Sequence, residues 1–403
     1  MDRTDVLVIG AGQAGLAASH ELMAAGVEHV VVDRARIGQA WRDRWDSFCL
    51  VTPNATTLQL PGFPYSGDDP DGYLPRDGIV SYLVDYAESF SAPVREEVGV
   101  EALEKTADGW FRARTTDGEM RARRVVLATG AYQRAHRPPG AESVPPDLPV
   151  IDIGEYRNPA ALPPGPVLVV GSGQSGCQIA EELHQAGREV TLACGRAPWM
   201  PRRIAGRDVV WWVTESGFMD QSLGSLPGPE ALLFANIQAS GHAGGHDLHY
   251  RTLDAMGVTL AGHFDRVRDG AVQFRDDLPD SVAWGDARHD DLMHLFAQTA
   301  RDRGLPAPGA GESVPFVRHG PSAIPVDGLA AVVFAGGFRP GYRHWLPWPD
   351  AFDEAGFPIQ HDGRSTVIEG LYFLGVHFLR TRRSSLLFGV GGDATVVAQD
   401  IAA

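Results

Sequence analysis

Two decapeptides carry the same chemistry: "VLVIGAGQAG" at 6–15 and "VLVVGSGQSG" at 167–176. Each is an apolar, β-branched run followed by a G-x-G-x-x-G turn, formed by Gly10, Gly12 and Gly15 in one and Gly171, Gly173 and Gly176 in the other. In such a turn the first glycine makes the bend. The second lets a pyrophosphate approach the backbone, and the third lets the next helix pack on the strand. That helix opens with unpaired N–H groups and a positive dipole end, which hold phosphate oxygens. Gln13, Gln174 and Ser175 occupy the openings of the two helices and join the candidate binding set.

The strand ends differ. Asp33 lies 23 residues beyond Gly10, with Arg34 after it. A carboxylate there accepts hydrogen bonds from ribose hydroxyls. The second copy continues "TLACGRAPW", with Cys194, Gly195 and Arg196 and no acid. A carboxylate repels a ribose 2′-phosphate, whereas an arginine pairs with it. The first motif therefore suits FAD and the second NADPH, and a hydride passing from nicotinamide to flavin links them.

Loops of this kind need strands and helices to aim them. Residues 6–9, 14–25 and 30–32 read as strand, helix and strand, and 167–170, 174–186 and 190–193 repeat the order. Residues 98–128 alternate around "DGW" and "DGE" turns, as antiparallel strands do. Nine prolines between 138 and 166 mark a connection. Strands near 258–275, a helix at 286–303, strands in "AAVVFAGGFRP" and "GLYFLGV" and a helix at 393–402 complete the pattern. The expected architecture is α/β with two Rossmann-like dinucleotide-binding domains. The FAD domain is discontinuous, at 1–150 and 326–403, and the NADPH domain is inserted at 151–325.

The chain of 403 residues carries a net charge of −16, which disfavours sequence-independent binding to nucleic acid or anionic membrane. Its three cysteines, Cys49, Cys177 and Cys194, form no Cys-x-x-Cys, so no redox dithiol or zinc site is indicated. The charged start "MDRTD" is no signal peptide, and no apolar run reaches the ~18–20 residues that span a bilayer. A cytoplasmic protein without a metal is the expectation, with a homodimer permitted.

The stretches "RARIGQAWRDRWDSFCLVTPN", "RVVLATGAY", "VVFAGGFRP" and "GLYFLGVHFLRTRRSSLLFGVGGDA" together resemble class B flavoprotein monooxygenases, in particular small bacterial flavin-containing and YUCCA-like enzymes. The resemblance implies that reduced flavin meets O2, forms a C4a-(hydro)peroxide and oxygenates a nitrogen or other heteroatom of a small organic substrate. It implies that Gly38, Gln39 and Trp41 lie against FAD, and that Asn54 faces the flavin and nicotinamide. Ala128, Thr129 and Gly130 match the crossover between domains. Gly391 and Gly392 precede a last helix aimed at the flavin, capped by Asp393. His377 falls close to the flavin ring and could contact substrate or relay protons.

Two departures accompany the match. The fingerprint F-x-G-x-x-x-H-x-x-x-(Y/F), aligned on Tyr156, has Asp152 in place of its histidine, and the second "ATG" is "AGG" at 335–337. Asp152 motivates two alternatives: an NADPH-dependent flavin oxidoreductase or oxidase that does not oxygenate, and a non-catalytic flavin-based sensor. "GHAGGHDLHYR" at 241–251 holds three histidines, and its glycines suit a substrate-gating loop better than a metal site.

Overall fold

The computed structural model describes residues 2–130, 132–226, 228, 237–309, 316 and 318–403. Two sheets organise it, each with a parallel core built on one glycine motif. In the nine-stranded sheet, Asp2–Ile9 lies between His29–Val32 and Gly118–Leu127, and Leu371–Phe373 pairs beyond the latter. In the five-stranded sheet, Val167–Val170 lies between Val190–Ala193 and Ala331–Phe334. Residues 6–9 and Val167–Val170 are apolar and buried, because helices pack on one face of each sheet and antiparallel strands cover the other.

The duplication extends to register. Ile9 sits between Val32 and Leu127, and Val170 between Ala193 and Phe334. It extends to helix ends as well. Gln13–Ala24 and Gln174–Gln185 are both 12 residues long. Each stops on a left-handed glycine, Gly26 at φ 70° and Gly187 at φ 80°. Val27 N–H then bonds Leu22 O at 2.9 Å, and Arg188 N–H bonds Leu183 O at 3.0 Å. These bonds satisfy carbonyls that the ending helix would leave unpaired.

The crossing points move relative to expectation. Ala331–Phe334 belongs to the second sheet, so that sheet runs past residue 325 and the chain returns to the first only afterwards. The proline-rich connection supplies Val150–Asp152 as the second sheet's edge strand, because Val150 pairs with Val332. The helix expected at 286–303 begins at Leu278, about two turns earlier, with the proline at 279 in its first turn. Gly118–Leu127 serves both the antiparallel strands before it and the parallel sheet beside Asp2–Ile9.

A polar cluster sits inside the second half. The Trp199 ring lies 4.6 Å from His249 and 4.5 Å from His289, and its indole N–H donates to Asp286 Oδ1 at 2.9 Å. Burial pushes the His249 imidazole down from the ordinary 6.5 to about 4. Between these values the unfolded chain binds the extra proton, so stability rises with pH across that window. The contribution is intact above pH 6.5 and is lost as pH falls toward 4, by up to about 3 kcal/mol. Denaturation midpoints above and below the window should show the drop, and His249→Gln should flatten it.

Candidate active site

Each glycine has a separate task. A Cβ on Gly10 (φ 111°) would fall 2.5 Å from Ala128 O, and one on Gly171 (φ 106°) 2.7 Å from Ala335 O. A Cβ on Gly15 would fall 1.7 Å from Gly10 O, and one on Gly176 1.8 Å from Gly171 O. Gly12 and Gly173 face open space, with nothing within 4 Å. The outer glycines are required by the protein's own backbone, and the middle ones leave room in front of a helix N-terminus. That cradle suits a dinucleotide pyrophosphate in both halves.

Register places Asp33 and Cys194 at corresponding positions, one residue past Val32 and Ala193. Asp33 closes its loop through backbone N–H groups, accepting from Ala11 at 2.7 Å and Ala35 at 2.9 Å. Arg34 next to it is exposed. In the second half a hydroxyl does the corresponding work: Gly195 N–H donates to Ser172 Oγ at 2.8 Å, and Ser172 bonds Tyr250 OH at 2.5 Å. Cys194 is fully buried, and burial holds its thiol well above the ordinary value. No carboxylate takes Asp33's place there, and Arg196 extends to the exposed surface two residues on.

The glutamines brace both loops. Trp41 Nε1 donates to Gln13 Oε1 at 3.1 Å, and Gln13 Nε2 reaches Ser385 O at 3.3 Å. Gln174 exchanges bonds with Ala239, accepting its N–H at 3.1 Å and donating back to its carbonyl. Ser175 is half-buried in the first turn of the same helix. Gly38 (φ 70°) donates to Ala11 O at 3.2 Å, tying the Trp41 turn to the first glycine loop. Gln39 instead reaches outward to Asp43 at 2.9 Å.

The halves meet where the two crossovers run side by side. Arg134–Ala135 pairs antiparallel with Phe338–Arg339. Gln133 Nε2 bonds Thr129 Oγ1 and Gly130 O, each at 2.9 Å. Tyr132 packs edge-on against Phe338 at 5.3 Å and His377 at 5.2 Å, and the Arg44 guanidinium lies 5.1 Å from its ring. His377 Nδ1 bonds Ser385 Oγ at 2.9 Å, and burial pushes its pKa down, which favours neutral imidazole. Tyr132 keeps 45 % of its surface exposed at this junction. Gln13, Trp41, Ser385, His377 and Tyr132 thus form one connected group.

Asn54 does not join that group. Its side-chain amide donates to Asp69 O at 2.9 Å and accepts from Leu74 N–H at 2.7 Å, pinning the 69–74 turn. Gly391 and Gly392 lie inside the final helix Val390–Ala402 rather than before it, and Gly389 is the N-cap. Gly391 lets Pro61 approach, because a Cβ would be 3.0 Å from the proline ring, whereas Gly392 faces open space. Asp393 is therefore too deep to cap. It is 3 % exposed, its nearest cation is Arg380 at 3.4 Å, and burial raises its pKa. Asp152 forms a two-pronged pair with Arg137, at 2.7 and 3.0 Å. The loop histidines are engaged elsewhere: His242 with Ser47 O, His246 with Glu181, and His249 against Trp199.

Distant pairs supply what local sequence could not signal. The His263 ring lies 3.0 Å from where a Gly195 Cβ would be, and Asp277 Oδ2 holds its Nδ1 at 2.9 Å. It stands beside the Arg196 turn, 67 residues from it in the chain. Arg202, 2 % exposed, bonds Tyr73 OH, Asp208 Oδ2 and Val51 O at 2.6, 2.6 and 2.7 Å, and so joins the two halves.

The family model described as pyridine nucleotide-disulphide oxidoreductase matches residues 7–215, which contain both glycine loops. The chain belongs to this family. An uncharacterized oxidoreductase, CzcO-like, from Geobacillus kaustophilus is 33 % identical over 98 % of each chain. A probable indole-3-pyruvate monooxygenase of Arabidopsis thaliana, YUCCA3, is 24 % identical over 98 % of this chain and 86 % of its own. A flavin-containing monooxygenase from Stenotrophomonas maltophilia superposes with a TM-score of 0.70 at 22 % identity, covering 100 % of this chain and 98 % of that one. The chain is an oxidoreductase, with FAD and NADPH as its cofactors. Among its described residues no helix is long and apolar enough to cross a membrane.

Proposed function

We propose that the oxidoreductase is an NADPH- and O2-dependent monooxygenase that places one oxygen atom on a nitrogen or other heteroatom of a small organic substrate. FAD is held by the loop of Gly10, Gly12 and Gly15, and NADPH by the inserted loop of Gly171, Gly173 and Gly176. When bound, FAD takes a hydride from NADPH and passes the electrons to O2, so that one oxygen atom goes to substrate and the other to water.

The observation that carries this reading is the state of the thiols. An enzyme of this family that reduces disulfides needs an accessible thiol to receive electrons from the flavin. Cys49, Cys177 and Cys194 are all buried, and burial raises each thiol, Cys49 to about 11. Disulfide reduction is disfavoured on this ground, and the reading takes O2 as the acceptor. The chain's residues then bind and orient. Gln13 and Trp41 fix the FAD loop, Arg196 meets the 2′-phosphate, and Tyr132 and Phe338 offer an apolar face to substrate. His377 holds a proton beside them, with Nδ1 anchored on Ser385.

Turnover of a panel of small amines and sulfides under 18O2 tests the reading. One labelled oxygen per product, matched to the NADPH consumed, is expected. Asp152 favours a second reading, because its carboxylate pairs with Arg137 where the fingerprint has an imidazole. On that reading all NADPH consumed appears as hydrogen peroxide and no product is labelled. A separate prediction concerns Arg196: Arg196→Ser should raise the KM for NADPH by about tenfold or more, the worth of a charge-assisted hydrogen bond, and leave that for NADH unchanged. Steady-state kinetics with both nucleotides check it.

A further inference from the structure

A cavity of about 230 Å³ lies in the seam between the halves. Trp45, Phe48 and Cys49 line it from the first half, and Gln178, Glu181 and Glu182 from the second. The last three sit on the middle and late turns of Gln174–Gln185, whereas the NADPH loop meets only the opening of that helix. The cavity is therefore separate from both dinucleotide cradles.

Gln178 is 8 % exposed and lines this space, and its side-chain amide has no hydrogen-bond partner among the described residues. The amide atoms of this largely buried side chain open onto the cavity, so its donor and acceptor are available to an occupant. The charge of the cavity says what kind. Glu181 is 5 % exposed, and its Oε1 bonds His246 Nε2 at 2.7 Å. Glu182 accepts from Ser47 Oγ at 2.7 Å and Tyr156 OH at 2.8 Å, both neutral donors. Among the described residues no arginine or lysine pairs with either carboxylate, although buried carboxylates are usually matched by a cation. Trp45 and Phe48 meet edge to face at 5.0 Å and present aromatic surface to the same space. Arg44 already sits 5.9 Å from the Phe48 ring, which leaves the Trp45 indole as the wall for a second cation.

We propose that this seam cavity is a second ligand site, taking a small primary ammonium ion with an apolar body. Its N–H groups would meet Glu181, Glu182 and the Gln178 carbonyl oxygen, and its carbon body would meet Trp45 and Phe48. The volume equals roughly seven or eight waters, enough for one ring or a short chain. A ligand there touches both halves and braces them against each other.

The test is calorimetric titration of the full chain, loaded with FAD and NADP⁺, with benzylammonium and with its neutral counterpart benzyl alcohol. It reads binding alone, so its outcome is independent of whether the protein oxygenates anything. Saturable binding of benzylammonium and none of benzyl alcohol is expected. Glu181→Gln should weaken it by about tenfold or more, since a charge-assisted hydrogen bond is lost. Gln178→Glu adds a carboxylate at a position with no partner to disturb, and should tighten ammonium binding without inducing alcohol binding. No binding, equal binding of amine and alcohol, or an affinity unchanged in Gln178→Glu would each overturn the proposal.

Discussion

Gly173→Val should purify as a folded, yellow protein whose flavin NADPH no longer reduces. Gly173 has φ −67° and ψ −174°, an extended conformation open to any residue. A Cβ there meets nothing within 4 Å, so the protein has no reason to unfold. The valine methyls would instead occupy the space in front of the helix N-terminus and keep a pyrophosphate from the backbone N–H groups. Losing two charge-assisted hydrogen bonds costs about 3–6 kcal/mol, a weakening of NADPH binding on the order of 10²–10⁴-fold. Gly12→Val is the mirror experiment. Gly12 has φ −83° and ψ −172°, and its variant should fold but purify colourless. Gly15→Ala and Gly176→Ala mark the contrast, because their Cβ atoms fall 1.7 and 1.8 Å from carbonyl oxygens and the fold itself should fail. Flavin absorbance, NADPH titration and melting curves separate these outcomes.

Arg202→Met should cause the largest loss of stability of any single change at the seam. Arg202 and Asp208 are 2 % and 7 % exposed, and Tyr73 OH bonds both. Removing the guanidinium leaves Asp208 as an uncompensated buried charge, at a cost of about 3–5 kcal/mol. Tyr73 and Val51 lie in the first half and Arg202 and Asp208 in the second, so the loss should also loosen the halves from each other. Asp208→Asn combined with Arg202→Met removes the orphaned charge and should recover part of the stability. The asparagine can still cap the helix Val209–Glu215, where Asp208 Oδ1 now accepts from Val210 N–H at 2.8 Å. Denaturation followed by tryptophan fluorescence, with the single and double variants side by side, measures both effects.

Much of the fold was legible because its signals are local. Strand, glycine turn and helix lie within ten consecutive residues, and the difference between Asp33 and Cys194 is visible once the two copies are aligned. Register then confirms that these residues hold corresponding places. The sites built across the chain were not legible. Tyr73 and Arg202 stand 129 residues apart, and Ser172 and Tyr250 stand 78 apart. No period or motif announces such pairs, since only the packed sheets bring them together. Asn54 shows the opposite failure. Its place after Pro53 gave no sign that its side chain pins the 69–74 turn through Asp69 and Leu74. Asp393 misled for a related reason: glycines before an acid read as a helix start, but the helix begins at Val390 and carries the acid inside.

Anaerobic mixing of flavin-loaded protein with stoichiometric NADPH tests most directly whether the two cradles act as one electron path. The visible flavin band should bleach in the wild type and persist in Gly173→Val, and substrate with O2 should then restore it with labelled product. A wild-type flavin that stays oxidised, or a Gly173→Val flavin that bleaches as fast as the wild type, would contradict the assignment of NADPH to the second cradle and FAD to the first.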